Sequence, residues 1–315
     1  MTKIDSRIIR NSHPFPPNRS SRVVKSLEQL QAKITETPVN IPSGLFHAAA
    51  WILCGAAKVE YPNLDIEFEV PFDDNTTANE ATFTMYNLSR TTRNQFVTGR
   101  SISLTAGYGH DYGLIFSGVV SSARTAHNGV DVRTTVTAVD NPRLKEHDVK
   151  NISFKKGCRA SYILRSLLQK TGLPIAAFRV RRDHTYKDAV TVDGGLMSSI
   201  DQYAKICGVS TYIQRGSIYA IDVRTANTGL RFDMDVEHGL IGSPEYFEEE
   251  ISESADDDTV KETRRGYKIT SLLEHRCMSG AQINLKSKDV TGTFHVLEGK
   301  HSFNGTDFIT EMTVI

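Results

Sequence analysis

Apolar and acidic residues alternate through DIEFEVPF (65–72), which sets Ile66, Phe68, Val70 and Phe72 on one face with the period of two of a half-buried strand. Short segments of the same kind follow in ATFTMYNL (81–88), SISLTAGY (101–108), GLIFSGVVSSARTA (113–126) and VDVRTTVTAV (130–139). They are rich in β-branched and aromatic residues and are separated by turn residues such as Asp73-Asp74-Asn75 and Asn128-Gly129. Strands this closely spaced point to a small barrel or sandwich and not to βαβ units. One or two helical turns interrupt them at 89–99, with Ser89 as N-cap and Gly99 as stop.

Between residues 145 and 235 the period lengthens. CRASYILRSLLQKTG (158–172) places Ile163, Leu164, Leu167 and Leu168 on one helical face and ends at Gly172. GLMSSIDQYAKICG (195–208) does the same with Met197, Ile200, Tyr203, Ala204 and Cys207 and ends at Gly208. A hairpin follows, VSTYIQ turning at Arg215-Gly216 into SIYAIDV, so this stretch reads as a separate α+β domain. Near the start, HPFPPN is a turn-and-extended signal, and beyond it Val23, Leu27, Leu30 and Ile34 are spaced as one face of a helix. That face needs a surface to cover, either this chain's own core or a neighbouring subunit, which makes these four residues a candidate partner-docking helix. The segment EYFEEEISESADDDTVKETRRG (245–266) is densely acidic, poor in apolar residues and without a helical face, and it reads as a linker or loop.

The last fifty residues return to the strand pattern with a repeated spacing. With Asn128 set on Asn304, Asn128-Gly129-Val130-Asp131 answers Asn304-Gly305-Thr306-Asp307, Thr134 answers Thr310, Thr137 answers Thr313, and Val139 answers Ile315. Upstream, Gly99, Ile102 and Leu104 are echoed by Gly280, Ile283 and Leu285. Each copy reads strand, loop, strand, Asn-Gly turn, strand, and Asn-Gly is the residue choice of a tight hairpin turn with positive φ. Asn128, Gly129, Asp131, Asn304, Gly305 and Asp307 are therefore the expected structural repeat turns. Nothing reactive is shared between the copies, so the unit is a building block and not a repeated active site.

The resulting organisation is a β-rich α+β chain in which two similar small β-barrels flank a middle α+β domain, with a helical N-terminal arm. The expected divisions are the arm (1–56), the first barrel (57–144), the middle domain (145–235), a linker with an acidic loop (236–265) and the second barrel (266–315).

Charge adds little: 37 Lys+Arg balance 37 Asp+Glu over 315 residues, so no basic field advertises nucleic acid or an anionic membrane. The arm is locally basic, with Lys3, Arg7, Arg10, Arg19, Arg22, Lys25 and Lys33. Cys54, Cys158, Cys207 and Cys277 stand far apart, unlike a disulfide framework or a paired-ligand zinc motif. The apolar run Gly44 to Ala57 is too short to cross a bilayer. Synthesis in a reducing cytoplasm is the expectation. His238, His275, His295 and His301 show no two-ligand spacing, no GxSxG elbow presents a serine, no Gly-rich loop opens a helix, and the acidic segment lacks the alternating oxygens and glycine of a calcium loop. No catalytic residue, cofactor or metal is expected.

The run from Ile66 to Val120 resembles the opening barrel of bacteriophage tail baseplate hub proteins, a two-barrel family related to the late control protein D and the N-terminal region of VgrG. The resemblance is carried by Asn79, Ala81, Tyr86-Asn87-Leu88-Ser89, Leu104, Ala106-Gly107-Tyr108 and Ile115-Phe116-Gly118. FKKGCRASYILRSLLQKTGLPI (154–175) is similar to the family's middle domain, GLIGSPE (239–245) to its linker strand and 266–315 to its second barrel. Residues 1–56 match no part of it.

The resemblance implies a structural subunit that forms a homotrimer, two barrels in each of three copies giving a pseudo-sixfold ring between the tail tube and the central spike. The implied partners are the chain itself, a tail tube or tube-initiator protein, a central spike protein, a tape-measure protein and baseplate wedge proteins. No membrane and no sequence-specific nucleic acid are implied, and the location is the virion baseplate, with a contractile tail favoured. Two alternatives stay open. A tail-associated cell-wall hydrolase needs paired carboxylates or a zinc motif on a rigid element, and a host-glycan-binding adhesin needs exposed aromatic platforms, whereas Trp51 is the single tryptophan.

Overall fold

A computed structural model describes residues 47–140, 148–225, 228–255 and 258–315. β1 (Ala48–Cys54) and β2 (Ala57–Tyr61) form an antiparallel pair that turns at Gly55, where φ is +59°. β3 (Ile66–Phe72) and β4 (Glu80–Tyr86) follow, then the short helix α1 (Arg90–Arg93), β5 (Ser101–Tyr108), β6 (Asp111–Asn128) and β7 (Asp131–Val139). Ser89 caps α1 as its sequence position suggests, its Oγ accepting the Thr92 N–H at 3.1 Å. β1 lies inside the run assigned above to the arm. Ala50, Ile52 and Cys54 are fully buried, and this alternate burial draws the strand onto β5 as part of the sheet.

The middle region holds β8 (Asp148–Phe154), α2 (Ala160–Lys170), β9 (Ile175–Phe178), β10 (Val190–Gly195), α3 (Leu196–Cys207), β11 (Ser210–Gln214) and β12 (Ser217–Ile221). Ile163, Leu164, Leu167 and Leu168 of α2 are fully buried with Ile200 and Cys207 of α3. Each such side chain contributes about 1.5–3 kcal/mol through burial. Gly208 ends α3 in the left-handed region at φ +66°, and Arg215-Gly216 turn the β11–β12 hairpin with φ +52° and +75°.

β13 (Arg231–Met234), β14 (Leu240–Ala255), β15 (Asp258–Leu272), β16 (Gln282–Lys286), β17 (Thr291–Phe303) and β18 (Phe308–Val314) complete the fold. The expected acidic linker is instead the long antiparallel hairpin β14–β15. Its register sets Glu248 opposite Arg265 and Glu249 opposite Arg264, and Arg265 Nη2 reaches Glu248 Oε1 at 2.9 Å. Cross-strand pairing of acid with base takes the place of the apolar alternation that usually announces a strand.

The fold is a β-rich α+β one, but its β-units are not two closed barrels. One sheet runs in the order β14-β15-β18-β17-β3-β4-β7-β6-β5-β1-β2, with β16 and β13 branching from β17. Closing the first unit on itself would need the outer edge of β3, and that edge is taken by β17. The first unit still curls around one core, in which Ile52 and Val59 share a cluster with Phe68, Phe83 and Leu104. A second core gathers Phe232, Ile269, Ile283, Val296 and Met312.

Candidate assembly interface

The hairpin β6–β7 turns through Gly129 at φ +64° with Asn128 opposite Asp131, and β17–β18 turns through Gly305 at φ +90° with Phe303 opposite Phe308. In the second turn Asn304 Oδ1 accepts the N–H groups of Thr306 and Asp307 at 2.9 and 2.7 Å, while its Nδ2 donates to Asp307 Oδ2. In the first, Asp131 Oδ1 accepts from Asn87 Nδ2 at 3.0 Å. Thr134 stands opposite Thr125, and Thr310 opposite His301. Each of these pairs lies the same number of residues from its turn.

The correspondence runs through both units. Val120 is followed by a register shift before Ser122, and Val296 by the same shift before Glu298. Gly99 donates to the Val120 carbonyl and Gly280 to the Val296 carbonyl, each at 2.8 Å, and both glycines have positive φ. Ile102 and Leu104 face Gly118 and Phe116, as Ile283 and Leu285 face Phe294 and Gly292. The Asn87 N–H reaches Val132 O, and the Leu273 N–H reaches Phe308 O. The strand order β3-β4-β7-β6-β5 is thus matched by β14-β15-β18-β17-β16.

The two units meet where β17 pairs with β3, Gly299 to Phe303 lying antiparallel to Phe72 to Phe68. Aromatic rings fill the joint: Phe303 lies 4.8 Å from Tyr61 and 5.1 Å from Phe308, and Phe308 is 5.1 Å from Tyr108. The Tyr108 hydroxyl donates to Phe308 O at 2.7 Å, and burial pushes that phenol up to about 12, so it remains a donor. His301 is 1% exposed beside Phe72. Its ring nitrogens meet Thr310 Oγ1 at 2.8 Å and Cys277 O at 3.2 Å. A carbonyl can only accept, so Nε2 carries the proton and Nδ1 accepts from the Thr310 hydroxyl. Burial, reinforced by the Arg215 cation, pushes the imidazole down to about 3 and keeps it neutral.

The middle domain braces this joint from two sides. Arg215, at the tip of β11–β12, donates to the carbonyls of His275 and Cys277, and Tyr212 and Gln214 donate to Ser279 O and Oγ at 2.8 and 3.1 Å. On the β3–β4 loop, Asp74 accepts from Ser210 at 2.9 Å and Thr76 donates to Asp201 at 2.8 Å. Arg276 clasps Glu274 through Nε and Nη2, each at 2.7 Å, and reaches Asp111 at 3.3 Å. These groups engage backbone carbonyls and one another, and among the described residues no three His, Cys, Asp or Glu side chains converge on a metal position. The candidate docking helix with Val23, Leu27, Leu30 and Ile34 lies outside the described residues. Sequence reading missed the β17–β3 joint and the buried His301. The spacing of Thr310 from His301, which equals that of Thr134 from Thr125, was the available signal.

The family model described as "Baseplate hub gp41" matches residues 55–253. No curated protein sequence matches the chain. Among solved structures, a tail protein from Neisseria meningitidis MC58 aligns with a TM-score of 0.59 at 9% identity, over 85% of this chain and 96% of that one. The 43 kDa tail protein of prophage MuSo2 from Shewanella oneidensis gives 0.59 at 8% identity, over 85% and 98%. An E. coli type VI secretion component, described as structurally similar to the T4 phage tail proteins gp27 and gp5, gives 0.54 at 10% identity, over 84% and 76%. At such identities the structures speak for the fold alone. The family match, by contrast, spans more than half of the chain, from the first unit through the middle domain, and makes the assignment: the chain belongs to the baseplate hub gp41 family of phage tail proteins.

Proposed function

We infer that the chain is a structural subunit of the tail baseplate hub that assembles as a homotrimer, six copies of the five-stranded unit forming a pseudo-sixfold ring between the tail tube and the central spike. The in-register repeat carries this reading. Two units of one strand order and register in each chain let three chains present six similar faces to a sixfold tube while keeping threefold symmetry toward a spike. The relatives with tail-protein descriptions support the setting. The ring would sit in the virion baseplate after synthesis in the host cytoplasm, with tape-measure and wedge proteins as further neighbours and a contractile tail as the favoured setting. Its work is mechanical and involves no catalytic group. Mass photometry of the purified chain and electron microscopy of assembled baseplates should show three copies per ring, and a stable hexamer of this chain would overturn the reading.

A further inference from the structure

Strand β6 has an edge that its counterpart β17 does not leave open. β17 is paired on both sides through Gly299 to Phe303, with β18 on one side and β3 on the other. The matching stretch of β6, Ala123 to His127, pairs with β7 alone, and its other edge meets no strand among the described residues. Burial follows the pairing: Thr125 is exposed where its counterpart His301 is 1% exposed. Counted from the Asn128–Asp131 turn, the alternation of an antiparallel ladder turns the N–H and C=O of Ala126 and Arg124 toward β7. Those of Ala123, Thr125 and His127 point to the open side.

The complementary vacancy lies on β14, the counterpart of β3. Glu245 pairs with Lys268 as Glu69 pairs with Thr82, and Lys268 and Thr82 face Thr313 and Thr137, which are equivalent. Glu245 therefore stands where Glu69 stands, and Tyr246 where Val70 stands. Among the described residues β14 ends the sheet with one edge unpaired, and Tyr246 is 58% exposed where Val70 is 2% exposed. One chain thus carries both halves of a second β17–β3 joint, with no strand paired to either among the described residues. Exposed edges of this kind are where strands add.

We propose that β6 of one copy pairs antiparallel with β14 of the next, in the register of the internal joint, with Thr125 opposite Tyr246 and Ala126 opposite Glu245. The occupant of each edge is a second copy of this chain, because the partner strand it requires is the one the chain itself supplies through its repeat. Charge supports the register. In the internal joint Lys300 lies opposite Pro71 and diagonal to Glu69; Glu311 on β18, 3.0 Å away, is the main support of its charged form, and Glu69 adds to it. The same diagonal across copies joins Arg124 to Glu245, again cation to carboxylate. This joint rests on the trimeric reading, since three internal and three external joints in alternation are what close the ring.

Two variants of the full chain test it. Ala126 and Glu245 would form a non-hydrogen-bonded pair, the closer of the two kinds, so Ala126→Cys with Glu245→Cys should cross-link under oxidation. The expected result is a reducible ladder ending at a covalent trimer on a non-reducing gel, absent from each single variant, in the purified chain or in assembled baseplates. Thr125→Pro removes an N–H that faces the open side and leaves the β6–β7 ladder intact. It should abolish the trimer in mass photometry with the thermal midpoint of the β-units unchanged. A trimer that persists in Thr125→Pro, or that forms without cross-linking in the double cysteine variant, overturns this joint and leaves the trimeric reading standing. Absence of threefold order from both the wild-type chain and the baseplate overturns both.

Discussion

His301 shows what repetition with variation does at a single position. Where the first unit has Thr125 facing Thr134 at 3.4 Å, the second has an imidazole facing Thr310 in a site sealed by β3. The ring is locked in one tautomer between a hydroxyl and a carbonyl, with Arg215 and His275 as the cationic or titrating groups facing it. Its pKa of about 3 lies below the ordinary 6.5 that it regains on unfolding. As pH falls, the unfolded chain therefore takes up this proton first. The histidine's contribution to stability is whole above about pH 6.5 and drains away below it, by at most about 1.4 kcal/mol per pH unit, until the folded ring titrates near pH 3. Urea unfolding at pH 7, 5.5 and 4 should show His301→Gln losing less stability across that window than the wild type. Parallel losses would mean that the buried imidazole does not set this part of the acid limb.

The β11–β12 hairpin couples that site to the middle domain. Arg215→Ala should leave the His275 carbonyl without its Arg215 donor and the Cys277 carbonyl with His301 Nε2 in place of two donors, at a cost of about 1–3 kcal/mol, and it should raise the His301 pKa by removing a facing cation. Chemical denaturation and an NMR titration of the imidazole read the two effects separately, and a stability loss with no movement of the titration would show that Arg215 acts on the backbone alone. The hairpin itself was legible from Arg215-Gly216, because a two-residue turn with positive φ has few residue choices. The helices were legible too, since Ile163, Leu164, Leu167 and Leu168 announce their buried face by spacing. What the hairpin tip touches was not legible: Arg215 and Cys277 are brought together by packing that no local period encodes. The same limit hid the β17–β3 joint, formed by two ordinary amphipathic strands far apart in sequence. That joint also merged the two expected small barrels into one continuous sheet. The β14–β15 hairpin was misread for another reason, that acid pairs with base across its strands where an apolar alternation along them would have announced it.

Among the described residues the buried apolar side chains run from Ala49 to Val314 and fill three cores drawn from the strands, the loops between them and the middle domain. The strands of the β17–β3 joint and of the proposed β6–β14 joint all lie between Ile66 and Phe303. The amphipathic spacing of Val23, Leu27, Leu30 and Ile34 nevertheless gives that segment an apolar stripe, and an apolar stripe is stable only against a surface. If the surface belonged to this subunit, removing the segment would uncover part of a core and destabilise the fold. If it belongs to a neighbouring subunit or another tail protein, the same removal leaves the fold intact and weakens assembly. We expect the second outcome. A chain lacking residues 1–40 should melt within a few degrees of the intact chain in circular dichroism, yet be taken up poorly into tails when it replaces the full-length protein. Charge reversal at Arg7, Arg10 and Arg19 should have a milder effect that fades as salt rises, because exposed charges are screened over a Debye length of about 10 Å at 0.1 M. A truncated chain that cannot fold where the intact chain can would place the helix in its own subunit's core and remove its docking role.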